Sequence, residues 1–127
     1  MTITWVTYLY VAVGGALGAC LRLFANLTLT NLLGKSLPFA TLSVNVVGSF
    51  FLGLVFAWFS QQSDVESDLK LFVTVGFLGA LTTFSTFSLE VFLFLQQGEW
   101  MRAGITVLLN VCLCLAAVWC AMTLMKG

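Results

Sequence analysis

The chain has 127 residues, of which 61% are hydrophobic and 8% charged, with five basic and five acidic side chains and no histidine. An average soluble domain carries about a quarter charged residues, so this balance excludes an ordinary soluble fold. The missing histidine removes the commonest metal ligand and general base together. Four runs lack Asp, Glu, Lys and Arg: Met1 to Leu21, Ser36 to Ser63, Leu71 to Leu89 and Ala103 to Met125. A helix needs about 20 mainly apolar residues to cross a bilayer, so four spans use most of the chain. The expected fold is an all-α integral membrane protein, with residues 1–127 forming one four-helix transmembrane domain.

The first span lacks the basic start and small-residue cleavage site of a signal peptide. Gly14, Gly18, Arg22 and Asn26 recur at steps of four and share one helix face. Gly14 with Gly18, and Gly15 with Ala19, are small-xxx-small pairs that let backbones approach. An arginine at mid-membrane costs about 3 kcal/mol even on insertion scales. Arg22 therefore snorkels to an interface, anchors backbone carbonyls or draws anions toward a vestibule. The four cysteines (Cys20, Cys112, Cys114, Cys120) all fall in predicted spans and read as small apolar fillers, not as disulfides or a metal site.

Gly34 reads as the stop of the first helix, and Ser36 with Pro38 as the start of the second. Thr41, Asn45 and Gly48 form a small, polar stripe on that second helix. The Asn45 amide offers two donors and one acceptor, which serve either interhelical bonding or a ligand. The loop "SQQSDVESDLK" reads as a solvated turn, with Ser67 or Asp68 as the cap of the third helix.

The third span holds "GALTTFSTFSLE", residues Gly79 to Glu90. Gly76 and Gly79, followed by the β-branched Thr82 and Thr83, weaken a helix locally, which predicts a third helix broken at mid-membrane. Such a break leaves backbone groups unpaired and survives only against protein or a wet cavity. Phe84 and Phe87 alternate with the hydroxyls of Thr83, Ser85 and Thr86. Ring edges are weakly positive and hydroxyls donate hydrogen bonds, so the run resembles a path for an anion. Glu90 is an intramembrane carboxylate and a functional candidate by default. In the fourth span Thr106 and Asn110 share a face and extend a polar track or bond a neighbouring helix.

With both termini on one side of the membrane, Lys70 and Lys126 oppose Lys35 and Arg102. Orientation follows the side richer in Lys and Arg. Two against two leaves it nearly undetermined, so the chain is either oriented by partners or inserts both ways. Insertion both ways would permit an antiparallel dimer.

The segments "GGALGACLR" (Gly14 to Arg22), "ATLSVNVVGSFFLG" (Ala40 to Gly53) and "GFLGALTTFSTFSLE" (Gly76 to Glu90) resemble the Fluc (CrcB) family of fluoride channels. The resemblance implies an antiparallel, dual-topology homodimer in the bacterial inner membrane, with fluoride as its ligand and no nucleic-acid partner. It implies two pores, each built from both subunits, with the Asn45 amide and the Phe84 and Phe87 ring edges facing fluoride. It further implies a structural Na⁺ at the dimer interface, held by the backbone carbonyls of Gly79 and Thr82. Thr41, Thr83, Ser85, Thr86 and Glu90 then line or approach the pore, and Arg22 lies toward a vestibule. Ala40 and Ala80 stand where the family usually has glycines, and Thr106 and Asn110 where it usually has tyrosine and serine. The rival reading is a small proton-coupled multidrug transporter. That chemistry usually needs a first-span carboxylate, whereas here the acid is Glu90 in the third.

Overall fold

The computed structural model describes residues 2–126. Helix α1 (Trp5–Leu33) and α2 (Phe39–Gln61) are followed by a composite third span from Ser67 to Gln96. That span comprises α3 (Ser67–Leu71), a π-helical segment (Phe72–Leu78), α4 (Gly79–Leu81) and α5 (Ser85–Gln96). Helix α6 (Trp100–Lys126) completes the chain, and four helices are long and apolar enough to cross a membrane. Gly34, at φ 84°, ends α1 as the sequence predicts, its N–H donating to the Thr30 carbonyl at 3.0 Å. Pro38 immediately precedes α2.

The solvation pattern is inverted relative to a soluble domain. Large apolar side chains such as Phe24, Phe56 and Leu115 point outward, while Thr7, Thr41, Asn45, Thr106 and Asn110 are buried. Lipid is as apolar as leucine, so outward hydrophobes cost nothing and polar groups gain by bonding between helices. The fold is that of a multi-pass helical membrane protein.

The third span changes partner along its length. Its π-helical segment and α4 pack on α1, whereas α5 packs on α6, and α2 also packs on α6. Against α1 the approach is backbone to backbone. A Cβ on Gly14 would lie 2.5 Å from the Phe72 carbonyl oxygen, and one on Gly18 would collide with that of Phe77. These glycines serve close packing, as their spacing predicts. On the other side α2 passes the span at Gly48, where a Cβ would collide with the Thr82 methyl.

One local expectation is corrected. Neither Ser67 nor Asp68 caps the third span: Glu66 precedes α3 without a side-chain cap, and Asp68 instead accepts a 2.7 Å bond from the Thr7 hydroxyl. The tie to α1 takes the carboxylate that would have capped its own helix. The four cysteines are free thiols. Cys20, Cys112 and Cys120 are exposed on outer helix faces, and only Cys114 is partly buried.

Candidate functional site

Helical geometry lapses over Thr82, Thr83 and Phe84, with Thr82 extended at φ −88°, ψ 159°. Asn45 on α2 clasps this link with both ends of its amide. Its Oδ1 accepts the Thr83 N–H at 2.8 Å, and its Nδ2 donates to the Thr83 carbonyl at 3.0 Å. Nδ2 also donates to Asn110 Oδ1 at 3.0 Å, and Asn110 Nδ2 in turn donates to the Thr106 carbonyl at 3.0 Å. That chain of bonds from α6 fixes which way the Asn45 amide faces. One turn on, the Thr83 Oγ1 accepts the Thr86 N–H at 3.1 Å and so starts α5.

These bonds alter the backbone account. In an unbroken helix the N–H groups of Thr83 and Thr86 serve the carbonyls four residues back, those of Gly79 and Thr82. Here both amides go to side-chain oxygens instead. The carbonyls of Gly79 and Thr82 lose their helical partners at the point where the span leaves α1.

A cavity of about 500 Å³ opens beside the link, lined among others by Asn45, Gly79, Thr82, Thr83, Phe84, Phe87 and Asn110. The two phenylalanine rings meet edge to face, their centroids 5.4 Å apart with planes at 68°. Phe87 is 7% exposed and Phe84 76%, so one ring is anchored and the other projects outward. The edge-to-face arrangement suits the ring quadrupoles.

A second, 40 Å³ cavity lies behind the link, lined by Arg22, Asn26, Ala40, Thr41, Val44, Thr83 and Thr86. Arg22 Nε donates to the Ala80 carbonyl at 3.0 Å, so of the three readings of this arginine its contact is that of a carbonyl anchor. Thr41 donates to Glu90 Oε2 at 2.8 Å, while Glu90 Oε1 is buried with no partner among the described residues. Glu90 also lines a third cavity of about 470 Å³ with Thr30, Lys35, Gln97 and Arg102. Arg102 is held only loosely, 3.9 Å from Glu99 on the protein surface.

The predicted site residues therefore fall into connected groups. Asn45, Phe84, Phe87, Asn110, Gly79 and Thr82 meet at the cavity beside the link, and Thr83 faces both it and the small one. Arg22, Thr41 and Thr86 gather at the small one, and Thr41 links it to Glu90. Ser85 lies exposed, its hydroxyl 3.3 Å from that of Thr83. The Thr106 hydroxyl is spent on its own helix, bonding the Arg102 carbonyl at 2.7 Å. Those of Thr82 and Ser88 likewise bond carbonyls one turn back. Residues the pattern did not single out also line cavities: Ser49 and Cys114 the one beside the link, Lys35, Gln97 and Arg102 the third. Cys114 was findable, one turn beyond Asn110 on the same face. Lys35 carried no signal beyond its charge.

A helical membrane protein with polar residues drawn to a link in its third span is the class these features define. The chain belongs to the CrcB family: residues 9–122 match the family described as CrcB-like protein, Camphor Resistance (CrcB). A relative from Shewanella denitrificans is 54% identical over 111 residues, covering 87% of this chain and 89% of its own. One from Alteromonas mediterranea is 48% identical over 120 residues, 94% of each chain, and one from Pseudoalteromonas translucida 44% identical over 114 residues, 90% of this chain and 95% of its own. All three carry the name Fluoride-specific ion channel FluC.

Proposed function

We propose that this chain is a passive, fluoride-selective channel. It would work as an antiparallel homodimer in the bacterial inner membrane, with two pores and a structural Na⁺ between the subunits. The observation that carries the reading is the convergence of Asn45, Thr83, Phe84, Phe87 and Asn110 on one cavity, in a chain whose relatives are named for fluoride conduction. Fluoride is small and strongly hydrated, so dehydrating it needs donors in place of water. An ion entering the cavity competes with Asn110 Oδ1 for an Asn45 amide proton, and the projecting Phe84 edge offers a weakly positive rim. Thr41, Thr83, Ser85, Thr86, Thr106 and Glu90 then line or approach the route, with Arg22 beside it. No lysine or arginine lines the cavity beside the link, which suits passage, because conduction needs sites weak enough to leave.

The donor set fits the proposed cation. Gly79 and Thr82 offer hard carbonyl oxygens deprived of helical amides, the type that replaces water around an alkali ion. Two carbonyls leave the ion's shell incomplete, so a second copy would supply the matching pair. The Na⁺ would add a buried positive charge near the anion path. A passive exit suits fluoride, which enters cells as neutral HF and ionises inside.

The test is reconstitution in fluoride-loaded liposomes, with a K⁺ ionophore and a fluoride electrode, and chloride-loaded vesicles in parallel. Rapid fluoride release with negligible chloride release is expected. Absence of fluoride release from folded protein overturns the reading.

A further inference from the structure

We propose that Asn45 and Thr83 are positioning residues that bare the Gly79 and Thr82 carbonyls for a monovalent cation. The inference rests on the cation in the proposed function and concerns what makes its site. Two glycines and two threonines do not by themselves strip a helix of its hydrogen bonds, since each can complete a regular turn. The backbone opens here because competing acceptors sit at the two amides that matter. Asn45 Oδ1 takes the Thr83 N–H, and Thr83 Oγ1 takes the Thr86 N–H. Side-chain oxygens of Asn and Thr compete with helical carbonyls in this way at helix starts. The second arm of Asn45, donating to the Thr83 carbonyl, holds that residue against α2. Asn110 Oδ1 accepts from the same Nδ2, so a flipped Asn45 amide would oppose two acceptors and break both bonds at once. Neighbouring Ala80 marks the contrast. Its carbonyl accepts from Arg22, so a guanidinium already supplies it with positive charge, while those of Gly79 and Thr82 are left for a metal.

A small-residue preference for flexibility predicts a different outcome from this arrangement. If the carbonyls are bared by two specific acceptors, deleting either acceptor lets an amide return to its carbonyl and closes the cation site without removing any ligand. The experiment is thermal unfolding of the purified, detergent-solubilised protein in NaCl against N-methyl-glucamine chloride at equal ionic strength. Wild type is expected to gain about 5 °C in Na⁺, the size of a ligand held at roughly ten times its dissociation constant. Thr83→Val and Asn45→Leu are each expected to lose at least two thirds of that gain, and Thr83→Ser to restore it. Thr74→Val removes a hydroxyl bonded only to the Lys70 carbonyl and is expected to keep the full gain whatever it does to baseline stability. A full Na⁺ gain in Thr83→Val overturns the positioning inference alone. No Na⁺ gain in wild type overturns the cation reading, and this inference with it. A measurement on wild type needs no variant to fold: the carbonyl carbon resonances of Gly79 and Thr82 are expected to move when Na⁺ is withdrawn and that of Ala80 to stay. Unmoved resonances at Gly79 and Thr82 count against the proposal in the same way.

Discussion

The two halves of the third span solve opposite problems. From Ser67 to Leu81 it lies on α1 with glycines cut away so that backbones touch, and side chains reach across at few places, as at Thr7 with Asp68 and Arg22 with Ala80. From Ser85 onward it lies on α6, anchored by the buried Phe87, while Thr41 and Asn45 of α2 reach Glu90 and the link. The first half is a platform whose geometry is set by the absence of side chains. The second is an assembly of side chains held by hydrogen bonds. The polar side chains meet where one gives way to the other, at the non-helical link, whose freed backbone groups need new partners.

The largest effect is expected from breaking the platform. Gly18→Leu drives a side chain into the Phe77 carbonyl, a backbone atom that cannot swing away, and is expected to abolish the monodisperse folded species in size-exclusion chromatography. Gly104→Leu, facing open space, is expected to elute like wild type. The side-chain half is next. Asn45→Ala orphans the Thr83 amide and carbonyl and Asn110 Oδ1, each worth about 1–3 kcal/mol if left unsatisfied, and is expected to lower fluoride flux at least about tenfold in liposomes. Phe84→Ile, which removes an exposed ring and no hydrogen bond, is expected to reduce flux while leaving the thermal midpoint within about 2 °C. Thr41→Val takes the single donor from Glu90 and is expected to cost about 1 kcal/mol of stability, read as a lower thermal midpoint. The smallest effect belongs to the outer cavity. Neutralising Lys35 and Arg102 together, as Lys35→Gln with Arg102→Gln, is expected to slow fluoride entry about twofold at roughly 10 mM ionic strength. The difference should fade near 1 M, where the screening length falls to about 3 Å.

How much of this was legible depends on the type of signal. The four spans were plain because uncharged runs of this length have one stable fate in lipid. The Gly14–Gly18 contact was readable from spacing alone. Gly79, Thr82 and Thr83 flank or form the non-helical link, and weak helix propensity is only half the physics there. Asn45 and Thr83 draw the amides away, and that competition depends on a residue 38 positions distant. The π-helical segment Phe72–Leu78, which packs on α1, was not anticipated from residue preference. Asp68 was misread for a related reason: a cap motif is local, and the Thr7 hydroxyl that claims its carboxylate is not.

The meeting of Gly48 with the Thr82 methyl has an evolutionary consequence. A Cβ at 48 would meet the Thr82 methyl, so alanine there requires Thr82 to turn about χ1 or to lose that methyl. Turning Thr82 gives up its hydroxyl's bond to the Leu78 carbonyl, whereas serine sheds the carbon and keeps that bond. Two codons far apart in the gene are thus coupled, because the residue at one sets the cost of a change at the other.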